Sequence, residues 1–413
     1  MVVCRILLRL GLCWLWGEAL FGTVPVAQAA DCSRPADAAA CLECALAHDP
    51  RIASVEADLR EAEALAHSAG LWDNPGLDVE ALRAPTGGTG GSLTAGITQP
   101  LPLFGSRRWA GRAAERRAEA SRARLRGVRW AVAAEAVGAL VRLRQIGDEE
   151  RLVGQAEALC GVALERFAKL AFLTDEQEAA RRAFEWSRDA LRSRSRSLAN
   201  ETADLREGLV ASLGGAAPAE WSFLIPAREA WPAWPAAEAP APAAAAARAE
   251  AEAAGGDLRR ARAERWPELA IGPLVELGSG VEPSWGGALS LSLPLVNRGQ
   301  AEVARGEGAR ARAELEASFQ EASTNRRRVL LERRYRDSVV RLQEAAPALR
   351  GGTAELDQVR ERYVSGRISA SLVLEVLGSY QAAVEAVHAV ERDAISALWE
   401  GYALQGLSVV PRP

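Results

Sequence analysis

The residues able to do chemistry in this chain are few and poorly spaced for it. The histidines, His48, His67 and His388, share no ligand spacing and read as scattered positions on helix faces, so no metal site is expected. Cys41 and Cys44 form a Cys-x-x-Cys unit, but it lies in a short N-terminal segment without the βαβ pattern of a redox motif. The stretch PTGGTGG, Pro85 to Gly91, invites a phosphate-binding reading. Such a loop needs a strand before it, a helix after it and a lysine beside it. Here strands are expected on both flanks and no lysine is near. No nucleophile pairs with a base, so the expectation is a non-enzyme without cofactor or metal.

Stepping out to composition, the 413 residues carry a formal net charge of −4, and a pI near 5.8 gives no reason to expect nucleic acid. Lys169 is the sole lysine, so basic charge is almost all arginine. Residues 1–29 read as a secretory signal: Arg5 and Arg9 ahead of an apolar run from Leu10 to Trp16, then Ala27-Gln28-Ala29 as a cleavage site. No later apolar run reaches the ~20 residues of a membrane helix. In an oxidising compartment Cys32 is expected to bond Cys41 or Cys44, with Cys160 a small packed side chain. Cys32 follows Asp31 and Cys13 follows Leu12, so neither sits in a lipobox; lipidation stays open.

The larger organisation is a repeat. Pro50, Pro75 and Pro102 recur as Pro242, Pro267 and Pro294, each 192 residues on. NPGLDV at Asn74 matches WPELAI at Trp266, LPLFG matches LPLVN, and Glu165-Arg-Phe167 matches Glu361-Arg-Tyr363 at a shift of 196. Each half begins with a helix opened by proline, Arg51–Gly70 and Ala243–Arg265. Two alternating strands follow, at about 75–83 and 92–101 in the first half and 267–277 and 285–293 in the second. A very long helical region ends each half; 107–170 alone would span roughly 95 Å. Trp130, Ala133, Val137 and Leu140 make one helical stripe, while Val376, Tyr380, Ala383, Val387 and Val390 make another beside Val373, Leu377, Val384 and His388. The expected domains are a repeat over 30–214, a Pro- and Trp-rich connector over 215–241, and a second repeat over 242–408.

Strands of this length suit a tilted membrane crossing. Four of them cannot close a barrel, and open edges are not tolerated in lipid. If they cross a membrane, several chains must pool them, and the signal makes that membrane the outer one of a diderm bacterium.

The order of helix, hairpin and long helices, twice over and opened by DPRIASVEADLREAEALAHSAGLWDNPGLDVE (Asp49 to Glu80), resembles the TolC-like outer-membrane efflux proteins across nearly the whole mature chain. A second match is YVSGRISASLVLEVL, Tyr363 to Leu377, similar to the family's helix-hairpin tip. The resemblance implies a mainly α fold with a transmembrane β part. It implies a homotrimer whose twelve strands close a β-barrel in outer-membrane lipid, continued by twelve helices as a periplasmic tunnel. Its implied partners are a periplasmic adaptor and an inner-membrane pump of RND or ABC type.

Carried onto this sequence, the family's adaptor-docking tips fall on Tyr363, Gly366, Arg367 and Ser369, and on Phe167, Lys169, Leu170 and Thr174. Leu170 departs from the pattern, which has glycine there. The acidic entrance positions fall on Leu372 and Glu375, so one acid is kept and one lost. Pro102 and Pro294 mark the joints of barrel and tunnel, because proline cannot donate to a strand ladder. The leading expectation is a passive export duct. The alternatives are a periplasmic adaptor, which has one hairpin and not two repeats, and a soluble coiled-coil scaffold. The cargo, whether drug, metal cation or protein, is not written in these residues.

Overall fold

A computed structural model describes residues 32, 37–83, 91–215, 231–237, 239–278, 282–292, 298–349 and 352–405. The signal segment and Pro294 lie outside these residues, as does nearly all of the first glycine loop. A helix α1 (Ala38–His48) leads into α2 (Pro50–Ala69), strands β1 (Gly76–Arg83) and β2 (Gly91–Leu101), then α3 (Ser106–Ala168) and α4 (Asp175–Ser212). The second half runs α5 (Pro242–Ala263), β3 (Glu268–Gly278), β4 (Ser284–Ser292), α6 (Gln300–Leu349), α7 (Gly352–Val364) and α8 (Ala370–Leu404). Helix, hairpin and descending helices therefore occur twice in the same order. In the second half α6 and α7 make up the first descending part.

Proline stands at the start of both ascending helices, where an amide N–H would have no partner within the helix. Asp49 caps α2, its carboxylate accepting from the Arg51 amide at 2.8 Å. The disulfide joins Cys32 to Cys44, leaving Cys41 and Cys160 free and buried. It ties the segment before α1 to that helix.

Helix α3 is the spine. Its 63 residues reach about 95 Å at 1.5 Å per residue. Its upper part packs small residues against α5. Ala120 and Ala123 meet Ala246 and Ala249, and at Gly256 an added Cβ would lie 3.0 Å from that of Ala113. Small side chains let the two axes approach closely. The middle is aromatic and aliphatic: Trp130, Ala133, Val137 and Leu140 are all buried with Trp399 of α8. Trp130 meets Trp399 edge-on at 6.3 Å, a geometry aromatic quadrupoles favour. The lower part buries Leu152, Ala156, Leu159 and Ala163 against α4 and α8. Of the two stripes expected on α8, the buried one is Val373, Leu377, Val384 and His388.

The connector is not loose where it is described. Trp231 and Trp234 flank Tyr335 of α6 at 6.2 and 5.6 Å, and the Tyr335 hydroxyl donates to the Pro232 carbonyl at 2.5 Å. The Ala239 amide donates to the Gln405 carbonyl just beyond α8.

The strands form one antiparallel sheet in the order β1-β2-β3-β4. Leu77 pairs with Ile97, Val79 with Ala95, Ala95 with Val275, Ile271 with Leu289 and Val275 with Trp285. Partners directly opposite share a face, so Leu77, Val79, Ile97, Ile271, Trp285 and Leu289 lie on one side. The other side carries Asp78, Glu80, Thr94, Thr98, Glu276 and Ser290. Gly272 sits at a tight crossing, where a Cβ would fall 1.6 Å from the Ile97 carbonyl oxygen. Among the described residues, no strand lies beside the outer edge of β1 or of β4.

Candidate functional site

Four places carry features that a core does not need: the sheet, its joints with the helices, the lower helix tips, and a charged cluster between tips and middle. The apolar face of the sheet is open. Trp285 is 80% exposed, Leu77 and Leu289 each 72% and Val79 61%. In water this would be a large aggregation-prone surface. Trp285 stands at the end of the sheet away from the helices. Trp72 and Trp266 stand exposed at the near end, where Phe104 stacks on Trp266 at 5.2 Å. Aromatic girdles bounding an apolar band are what a membrane-facing sheet presents.

At the first joint Pro102 follows the last paired residue, Leu101. The chain turns through Leu103 and Phe104, and Gly105 at φ 77 starts α3. Gly299, at φ 67, stands before α6 in the same way. Both need the left-handed backbone that glycine alone adopts freely. In the sequence these glycines stand in LFGS and NRGQ, three and five residues after Pro102 and Pro294.

At the tips, Phe167 and Tyr363 are buried, 7% and 4% exposed, and both pack on Phe184 at 6.2 Å. Neither ring faces outward. Their exposed neighbours do: Lys169, Leu170, Thr174, Gly366, Arg367 and Ser369. Thr174 and Gln177 close a capping box at the start of α4, and Ser369 caps α8 by accepting from the Leu372 amide at 3.3 Å. Arg166 links the two tips. It donates to the Tyr363 carbonyl at 2.5 Å and lies over that ring at 5.3 Å. Phe172, at 92% exposed, was not foreseen and is the most prominent apolar side chain of the first tip. Leu372 and Glu375 lie on the exposed side of α8, opposite buried Val373 and Leu377. Glu375 makes no ion pair among the described residues.

The charged cluster is the largest surprise. Glu149 of α3, 4% exposed, receives Arg142 at 2.6 Å, Arg194 of α4 at 2.9 Å and His388 of α8 at 3.1 Å. Arg142 also holds Glu201 at 2.6 Å, and Arg194 holds Glu385 at 3.0 Å. Beside it, buried Gln145 donates to the Glu391 carboxylate at 2.7 Å, which also takes Arg144. Burial alone would raise the Glu149 carboxyl, but the bonds from His388 and Arg142 outweigh it and hold it at about 2. His388 is thus a buried partner in a network and not a lone face histidine. Charged residues twenty to sixty positions apart, or on different helices, give no local signal.

The outer membrane efflux protein family model matches residues 41–166, which run from α1 through the first hairpin to the end of α3. Solved structures extend the likeness, in fold, to about nine-tenths of the chain. A membrane protein from Pseudomonas aeruginosa superposes with a TM-score of 0.74 at 18% identity, covering 90% of each chain. The outer membrane protein VceC from Vibrio cholerae gives a TM-score of 0.71 at 17% identity, over 89% of this chain and 95% of its own. Residues 41–166 thus carry the outer membrane efflux protein signature, and in fold the chain is similar to these membrane proteins. The Campylobacter jejuni CmeC outer membrane channel gives 0.73 at 14%, over 89% and 84%. No curated protein matches the sequence.

Proposed function

We propose that this TolC-like chain is one protomer of a homotrimeric outer-membrane duct that passively conducts substrate from an inner-membrane pump and periplasmic adaptor to the outside. The observation that carries it is the four-stranded sheet, apolar on one face and open at both edges. A lipid bilayer accepts no such edge. Joining β4 of one copy to β1 of the next removes every edge, and three copies give the twelve strands of a closed barrel. The long helices then hang below as a tunnel, with the Lys169 and Gly366 tips at its far end. The unpaired carboxylate of Glu375 on the exposed side of α8 supports a ring of negative charge near the entrance.

The test is direct. Outer-membrane fractions are expected to contain heat-modifiable trimers that conduct in planar bilayers, and Glu375→Gln is expected to lower cation-over-anion permeability. A protein recovered only from the soluble periplasm would favour the scaffold reading and defeat the duct. Unchanged selectivity in the variant would remove Glu375 from the entrance while leaving the duct standing.

A further inference from the structure

Just below the sheet the arginines change character. Arg107, Arg108 and Arg112 occupy the first two turns of α3, and Arg259 the last turns of α5. None has a carboxylate within ion-pair distance among the described residues. Deeper on α3 the pattern reverses: Arg116, Arg117, Arg122 and Arg124 each hold an acidic partner. Two of the unpaired guanidiniums share one ring, Arg112 at 4.9 Å and Arg259 at 4.7 Å from the centre of Trp109. Arg107 lies over Trp72 at 4.6 Å, and its Nη1 is buried without an acceptor.

Each guanidinium is attracted to the indole face, and together they concentrate positive charge that no carboxylate among the described residues offsets. Two like charges on one indole repel each other. The first turn of α3 has no acidic residue and no side-chain cap, although a helix N-terminus disfavours cations and attracts anions. The cleft around Trp109 does hold carboxylates, but Glu119, Glu252 and Glu314 are engaged by Arg116 and Arg310. Glu115 lies a turn further down.

Depth identifies the anion. Residues 107 to 112 lie about 2–9 Å below the start of α3. The polar layer of a bilayer extends roughly 5–7 Å beyond the hydrocarbon on each side. With the start of α3 at the edge of the hydrocarbon, Arg107 and Arg108 stand at headgroup level and Arg112 just beneath it, within reach of its long side chain, next to the exposed Trp72 and Trp266 that end the apolar face. We propose that this arginine–tryptophan collar binds the phosphate of an anionic glycerophospholipid in the periplasmic leaflet, with Arg112 and Arg259 gripping the phosphate over Trp109. The inference rests on the outer-membrane reading above.

Native mass spectrometry of the full-length assembly, in nanodiscs of phosphatidylcholine with a minor share of phosphatidylglycerol, tests it. Wild-type protein is expected to retain phosphatidylglycerol in clear excess over its share. The R112Q/R259Q pair is expected to lose about fivefold in that preference for each guanidinium removed, whereas R112K/R259K keeps most of it. Equal retention of both lipids by the wild type overturns the proposal, as does full retention by the glutamine pair. Displacement of the lipid by inorganic phosphate would mean a site for the free anion and also overturns it. So would a glutamine pair whose only change is a trimer dissociating at lower temperature, since the arginines would then pair with a neighbouring copy. Recovery of heat-modifiable trimers from outer membranes separates all these outcomes from failure of the duct reading itself.

Discussion

Glu149 shows how much a single residue can organise. Its buried carboxylate receives side chains from α3, α4 and α8, of which Arg194 is partly exposed. Removing it leaves Arg142, Arg194 and His388 without their shared acceptor. Breaking a buried charge group by deleting one partner costs about 3–5 kcal/mol. Glu149→Ala is expected to lose stability on that scale in urea titration of the detergent-solubilised protein. A loss below 1 kcal/mol would show that water already screens the cluster. The pH dependence has a definite sign. A carboxyl lowered from 4.5 to about 2 in the fold contributes fully above 4.5 and loses that contribution as pH falls toward 2. The wild type should therefore soften through that window more steeply than Glu149→Ala. None of this was legible in the sequence. His388 stood in an apolar stripe, and its partner lies 239 positions away.

The hairpin tips raise the question at the level of elements. The motif YVSGR was readable because its parts obey local rules. Tyr363 ends a helix, Gly366 takes a left-handed turn at φ 75, and Ser369 caps the helix that follows. What the motif could not say is which side chains point outward. Tyr363 packs inward on Phe184, and exposed Phe172 belongs to no motif. Burial follows from how two hairpins lean together, through contacts such as Arg166 with the Tyr363 carbonyl, 197 positions apart. Gly366→Val strains that turn by roughly 1–2 kcal/mol without touching the sheet. It is expected to abolish export, read as loss of resistance, while heat-modifiable trimers persist. Normal resistance in that strain would detach the tip from docking. The joints teach the same lesson: Pro102 announced the end of pairing, but the turn itself is made at Gly105.

At the level of the molecule, the repeat, the hairpins and the long helices were all written in proline spacing and in periods of two and 3.6. Those signals are local and repeated. The alternation of the sheet makes a discriminating comparison available. Leu289 and Ser290 are neighbours in sequence but face opposite sides, one apolar and one polar. An arginine on a lipid-facing site near mid-bilayer costs about 2–4 kcal/mol, whereas a lumen site tolerates it. Leu289→Arg is expected to deplete trimers from the outer membrane, and Ser290→Arg to leave them. Equal effects would show that the two faces meet the same surroundings.

The bare edges of β1 and β4 have a genetic meaning as well. If every ring requires three sound copies, a chain with one spoiled edge does not merely fail alone; it wastes the companions it joins. In a cell making sound and spoiled chains equally, random assembly would leave roughly one ring in eight intact. Loss at an edge would therefore behave as a dominant trait, while loss of the whole gene would be recessive.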